Sequence, residues 1–403
     1  MKILMFGWEL PPQNSGGLGV ACFNIAKALG EKNAEVIFVL PKKGNVYQDG
    51  FKVLFANVRV KVRQVDSILS SYLTPQKYSN ILSEVEIKDF YGNTLFEEVL
   101  RYGKEARKIA KNEEFDVIHA HDWLSFVAGV TAKDASRKPL VVHIHATEFD
   151  RTGGRGVNQM VYDIEKWGME KADKVIAVSQ LTKNTIMDHY GIPDEKIEVV
   201  YNAHVEEDAR RYENTLRDIL KRPIVAFAGR ITIQKGPDYF VEAAKKCLEY
   251  NPDIMFVMAG AGDMKDQMIE KATLLGIADN FLFEDFLRGG DLEKLYQAAD
   301  LFVMPSVSEP FGLMALEAIQ NGTPVLISKQ MGAGEMLTHC LKVDFWDVDE
   351  MASKILSVIE HKELKECLIE NGTKNLSRFS WKNSAKKCID IYRNVINSIK
   401  KNA

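Results

Sequence analysis

Short, uninterrupted apolar runs recur from one end of the chain to the other, and they constrain its fold more than any other feature. They include Ile3–Phe6, Val36–Leu40, Val117–Ala120, Leu140–Ile144, Val175–Val178 and Ile197–Val200. They resume at Ile224–Ala228, Ile254–Ala259, Leu301–Met304 and Pro324–Ile327. Each is rich in Val, Ile, Leu or Phe and lacks polar alternation, which is the pattern of strands buried on both faces of a parallel sheet. Between them lie helical patterns such as Ala21–Leu29 and Phe240–Leu248. The resulting βαβα rhythm predicts α/β architecture.

The rhythm breaks twice. Residues 41–110 hold strand-like pieces at Phe51–Phe55 and Val58–Val65, then a helix-like stretch at Glu97–Lys111, and read as an insertion in the first domain. Residues 203–220 are charged and polar, and the domain boundary is placed there. The predicted division is 1–205, 206–379 and a terminal Lys-rich amphipathic helix over 380–403. With 403 residues the chain has room for two domains of roughly 150–200 residues each.

Composition narrows the class of partner. A net charge of −4 provides no overall positive field for nucleic acid or acidic lipid. The five cysteines form no C-x-x-C pair and are odd in number, so reduced thiols in a cytoplasmic protein are expected. The first apolar run stops at Gly7, too short for a secretory signal, and no stretch of about 18 apolar residues follows.

Three loops at strand ends suit phosphate or sugar. Asn14-Ser15-Gly16-Gly17-Leu18-Gly19 lies between the first strand and a helix, where glycines let a ligand approach the backbone and the helix start favours an anion. The same glycines would also serve a tight βα turn. Gly229-Arg230 follows the Ile224–Ala228 run, with Lys235-Gly236 shortly after. Ligands of open α/β sheets sit beyond the carboxyl ends of strands, so these cations match a diphosphate, or are ordinary loop cations. The third loop runs from Ser306 through Glu309, Pro310 and Gly312 to Glu317. Its helix start would turn the amides near Leu313 and Met314 towards an anion, Glu317 could bind ribose hydroxyls, and Glu309 could accept hydrogen bonds from a sugar.

Two H-x-H pairs, His119-Ala120-His121-Asp122 and His143-Ile144-His145, also end buried runs. His119 and His143 have apolar neighbours and read as satisfied core histidines. His145 opens a polar loop and is the functional candidate. A metal reading of the pairs would require further ligands at tight spacing, which the sequence does not supply, so no metal is expected.

Taken together, these motifs resemble the glycosyltransferase families that include glycogen and starch synthases, over nearly the whole chain. The marks are Gly16-Gly17-Leu18, His121-Asp122-Trp123, His145, Ser179, Asn202, Gly229-Arg230 with Lys235-Gly236, and the E-x7-E pattern from Glu309 to Glu317. The resemblance implies a GT-B fold, two Rossmann-like domains facing a central cleft, with the terminal helix crossing back to the first domain. It implies retaining transfer of a hexose, glucose by preference, from a UDP- or ADP-linked donor to a carbohydrate acceptor such as an α-1,4-glucan. By that resemblance Arg230 and Lys235 hold the diphosphate, Glu317 the ribose and Glu309 the transferred sugar. Gly17 contacts phosphate through its backbone, His145 lies near the reacting carbon, and Asp122 lies on the acceptor side. The chain departs from many glycogen synthases in having Asn14-Ser15 where a Lys precedes the paired glycines, and Ala203 where Gly is common. No cofactor beyond the nucleotide-sugar donor is implied. Other readings are an epimerase or phosphorylase on the same fold, a metal-dependent hydrolase using the H-x-H pairs, and an idle nucleotide-sugar binder. A phosphorylase would require a Lys for pyridoxal phosphate, and no Lys stands in a distinctive setting.

Overall fold

The computed structural model describes residues 1–9, 17–42, 59–69, 74–83, 92–204, 211–213, 217 and 220–402. Gly16 and the strand-like piece Phe51–Phe55 lie outside the described residues, as do parts of the 203–220 linker. The chain forms two compact units. The first comprises Met1–Glu148, Val157–Asn202 and Trp381–Ala403, and the second Phe149–Gly156 and Ala203–Ser380. The polar segment 149–156 thus groups with the second unit, although it follows a strand of the first.

The first unit is built on seven parallel strands in the order β3-β2-β1-β4-β5-β6-β7. These are β1 (Lys2–Phe6), β2 (Glu35–Lys42), β3 (Val60–Asp66), β4 (Val117–His121), β5 (Leu140–Ile144), β6 (Lys174–Ala177) and β7 (Ile197–Val199). Every residue of β4 and β5 is buried, as the uninterrupted apolar runs require. β3 alternates between partly buried and exposed positions, as befits an edge. The register places His121 beside His143. The helix Trp381–Asn402 belongs to this unit: Ser384 Oγ donates to the Tyr201 carbonyl at 2.6 Å, and the Tyr392 hydroxyl meets His119 Nδ1 at 2.7 Å.

The second unit has six parallel strands in the order β10-β9-β8-β11-β12-β13. They are β8 (Ile224–Ala228), β9 (Met255–Ala259), β10 (Phe281–Glu284), β11 (Leu301–Met304), β12 (Val325–Ser328) and β13 (Leu341–Val343). Phe240 anchors its core, edge-on to Phe256 at 5.7 Å and to Phe281 at 6.2 Å between ring centroids. Rings in this geometry contribute about 0.5–1.5 kcal/mol beyond their burial. In both sheets the strand order reverses once, between β1 and β4 and between β8 and β11. Such reversals open a crevice at the carboxyl ends of the strands. Among the described residues, no helix is long and apolar enough to cross a membrane.

Asp300 ties the strand starts of the second unit together. It accepts from the Ile224 amide at 2.9 Å and from Arg217 Nη2 at 2.7 Å, and is ion-paired with Lys365. Burial alone would raise its carboxyl pKa, but the hydrogen bonds from Lys365 and Ile224 and the charges of Lys365 and Arg217 hold it below the ordinary range. The sign follows from linkage: the stabilisation is present above the unfolded-state pKa and is lost as pH falls through the depressed folded value. Asp300→Asn is therefore expected to cost about 1–3 kcal/mol near neutral pH. It should cost progressively less towards acid, as measured by urea unfolding of both proteins across pH 2–7. An equal loss at every pH would show that the charge is not what matters.

Candidate active site

The reversal point of the second unit gathers the donor-type residues. Gly229 and Arg230 leave the end of β8, and Ser306 to Glu309 leave the end of β11. Arg230 Nη2 donates to Gln234 Oε1 at 2.7 Å. Gln234 Nε2 in turn donates to the Ser308 carbonyl at 3.1 Å, and the Val307 amide donates to the Gln234 carbonyl at 2.9 Å. Gln234, only 3% exposed, thus fastens the arginine loop to the glutamate loop, and sequence reasoning did not single it out. Gly236 adopts φ +62°, and a Cβ there would lie 2.2 Å from the Pro305 carbonyl oxygen. Only glycine permits that approach.

The structure joins two residues that the sequence reading assigned to separate tasks. Lys235 Nζ and Glu309 Oε2 form an ion pair, with both side chains largely buried. The Glu309 loop is held by main-chain bonds. The Glu309 amide donates to the Gln330 carbonyl at 2.9 Å, the Gly332 amide to the Glu309 carbonyl at 2.9 Å, and the Ala333 amide to the Phe311 carbonyl at 2.7 Å. Gly312, at φ +102°, then turns the chain into the helix Leu313–Gln320. A Cβ at Gly312 would meet Met331 Sδ at 2.7 Å. The amides of Leu313 and Met314 lie in the first turn, where an α-helix provides no intrahelical acceptor, and the glycine cap adds none. Farther along, Glu317 Oε2 accepts from the Tyr296 hydroxyl at 3.3 Å. Burial raises the Glu317 pKa, against the Tyr296 hydrogen bond and with the nearby Glu293 charge. Ser308 Oγ donates to Asp150 Oδ1 at 2.5 Å, one contact between the 149–156 segment and the rest of this unit.

In the first unit, Gly17 opens the helix Gly17–Glu31 and is exposed. The Gly19 amide, however, donates to Glu9 Oε1 at 2.7 Å. A buried carboxylate therefore already satisfies part of this helix start, and sequence reasoning overlooked it. His145 lies just beyond β5 and is 9% exposed. Its amide donates to Asp122 Oδ1 at 2.7 Å, and its Nε2 meets His121 Nδ1 at 2.9 Å. Asp122 holds φ +56° and ψ 170°, a strained backbone for a side-chain-bearing residue, and its amide donates to the His143 carbonyl at 2.9 Å. Asp122 and His121 thus position His145. Burial lowers the His145 pKa to about 3, so its ring is neutral near pH 7. His119 is also lowered to about 3, chiefly by burial. His119 and His143 are fully buried, as expected of core histidines, but they are not satisfied: His119 Nε2 and both His143 nitrogens lack partners among the described residues.

Two parallel doubly wound sheets, one carrying Arg, Lys, Glu and an open helix start beside its reversal point, make up the two units of the chain. Residues 209–375 match the family model described as glycosyl transferases group 1, and residues 15–207 match glycosyltransferase family 4. The chain is 30% identical over 98% of its length to a glycosyltransferase of Methanocaldococcus jannaschii, of which it covers 98%. It is 26% identical over 97% of its length to the glycogen synthase of Mycobacterium tuberculosis strain H37Rv, covering 94% of that protein. The Anabaena HepE structure in complex with UDP and glucose superposes with a TM-score of 0.73, at 21% identity and covering 98% of this chain and all of that one. The chain belongs to the group 1 glycosyltransferases and has the GT-B fold.

Proposed function

We propose that this glycosyltransferase transfers glucose from UDP- or ADP-glucose to an α-1,4-glucan with retention of the anomeric configuration. The observation that carries the reading is the convergence of Arg230 and the Lys235–Glu309 pair on the loops that leave β8 and β11 at one strand-order reversal, with the Leu313–Met314 helix start and Glu317 on the helix that follows. The similarity to a glycogen synthase over 97% of the chain supports the glucan acceptor. The five free cysteines suit a reducing compartment such as the cytoplasm.

In the proposed reaction, the bond between the sugar's anomeric carbon and the diphosphate oxygen breaks while the acceptor hydroxyl oxygen bonds to the same carbon. The departing phosphate takes the acceptor's proton, and nucleoside diphosphate leaves. Arg230, Lys235 and the helix-start amides neutralise the charge that develops on the leaving group. Glu309 orients the sugar through its hydroxyls, and Glu317 receives the ribose. With cationic side chains and amides in that role, transfer needs no divalent ion at the diphosphate, and activity is expected to survive EDTA. Loss of activity on chelation, restored by Mg²⁺, would overturn this.

The substrate reading is tested by incubating the protein with a panel of nucleotide sugars with and without glycogen. Nucleoside diphosphate should appear from a glucosyl donor only when glycogen is present, and NMR of the product should show the α-anomer. Release without acceptor, or only with a small-molecule acceptor, would sink the glucan assignment. Glu317→Ala should chiefly raise the donor KM, because ribose contacts are made in ground and transition states alike. A fall in kcat at unchanged KM would refute the ribose role.

A further inference from the structure

The histidine cluster of the first unit has more ligating capacity than its hydrogen bonds use. His119 and His121 end β4, and His143 occupies the adjacent β5 position, since the register sets His121 beside His143. All three are fully buried. One ring atom from each lies within 4.8 Å of the other two. The rings crowd together, with centroids 4.1 Å apart for His119–His121, 5.4 Å for His119–His143 and 5.2 Å for His121–His143.

The hydrogen bonds divide each ring in a telling way. His119 Nδ1 is taken by the Tyr392 hydroxyl and His121 Nδ1 by His145 Nε2. Their Nε2 atoms, and both nitrogens of His143, have no partner among the described residues. A buried imidazole whose far nitrogen is fixed by a hydrogen bond is the arrangement that orients a metal ligand. Buried polar atoms left without partners are uncommon in native proteins, and several in one place ask for an occupant.

We propose that His119, His121 and His143 bind a divalent transition-metal ion of the zinc class through one ring nitrogen each, the Nε2 atoms of His119 and His121 being the ones that no hydrogen bond occupies. Neutral imidazoles suit Zn²⁺, Co²⁺ or Ni²⁺ and disfavour Mg²⁺ or Ca²⁺, which prefer oxygen. Tetrahedral zinc with bonds of about 2.0–2.1 Å sets its donors about 3.3 Å apart, closer than the 4.8 Å within which one ring nitrogen of each histidine lies, so the rings would draw together on binding. Asp122 directly follows His121, and its buried carboxylate accepts from the His145 amide at 2.7 Å, so one negative charge stands next to the cluster. The ion would join the carboxyl ends of β4 and β5 and fix His121, on which His145 rests. This role is structural and separate from the diphosphate chemistry, so any activity lost on full stripping of the site would return with Zn²⁺ and not with Mg²⁺.

The test uses untagged full-length protein stripped with EDTA and then titrated with Co²⁺. The expected result is visible d–d absorption that saturates at one equivalent per chain and is displaced by Zn²⁺. His119→Ala and His143→Ala should each weaken Co²⁺ binding by at least about 10-fold, and Tyr392→Phe by about 10-fold through the ligand it orients. Cys22→Ser should leave the affinity unchanged. X-ray absorption at the zinc edge of the wild-type protein should count three imidazole ligands, a readout that holds even if a histidine variant fails to fold. No absorption band at millimolar Co²⁺, or a one-equivalent site that persists in a folded His119→Ala/His143→Ala protein, would overturn the proposal.

Discussion

Replacing Lys235 with alanine is expected to lower kcat/KM by at least about 10²-fold, the usual scale for losing one preorganised group at a developing charge. Arg230→Ala should lose a similar amount. The two losses have different origins, and the structure separates them. Arg230 is tethered through Gln234, whereas Lys235 neutralises the buried Glu309. Removing Lys235 therefore also strands a carboxylate in a poorly hydrated position, which costs stability as well as rate. Adding Glu309→Gln to Lys235→Ala should recover part of the lost melting temperature while leaving the rate low. If the double variant regains most of the activity instead, Lys235 serves only to keep Glu309 in place and does not touch the diphosphate.

If His145 acts near the reacting carbon, the role that the family resemblance implies for it, His145→Ala should lower kcat by about 10²-fold with little change in donor KM. Its setting makes the change specific. The His145 amide is held by Asp122 and its ring by His121, so alanine removes the imidazole while the backbone bond to Asp122 persists. The companion expectation concerns Glu309. A double displacement would require a carboxylate nucleophile beside the anomeric carbon with a second about 5–5.5 Å away. Glu309 is engaged with Lys235 and Glu317 with Tyr296, so Glu309→Gln should keep measurable transfer. Mass spectrometry that found a fluorinated sugar covalently attached to a Glu309 peptide would reverse the assignment of Glu309 as an orienting residue.

The strands most visible in the sequence are those buried on both faces, such as β4, β5, β8 and β9, because nothing polar interrupts them. β10 and β13 escaped notice. They are edge strands of four and three residues, half-exposed, and too short to show a period. The site was legible where one loop carries its own chemistry, as with Gly229-Arg230 and the segment from Glu309 to Glu317. It was illegible where chemistry arises from pairing across the fold. The Lys235–Glu309 ion pair and the bridging role of Gln234 depend on which loops the sheet order makes neighbours. The two H-x-H pairs are the clearest instance. Spacing along the chain gives each pair too few ligands, and only the β4–β5 register brings three histidines together.

The helix Trp381–Asn402 has a consequence for how the chain comes to be folded during its synthesis. It follows the second unit in sequence, yet it completes the first. A growing chain therefore holds every residue of the second unit, through Ser380, while the first still lacks its closing helix. Until that helix emerges, the Tyr201 carbonyl has no Ser384 hydroxyl and His119 Nδ1 has no Tyr392. The unit translated first is the one that matures last, and the nascent polypeptide must carry an unfinished amino-terminal half past the moment when its carboxyl-terminal half can close.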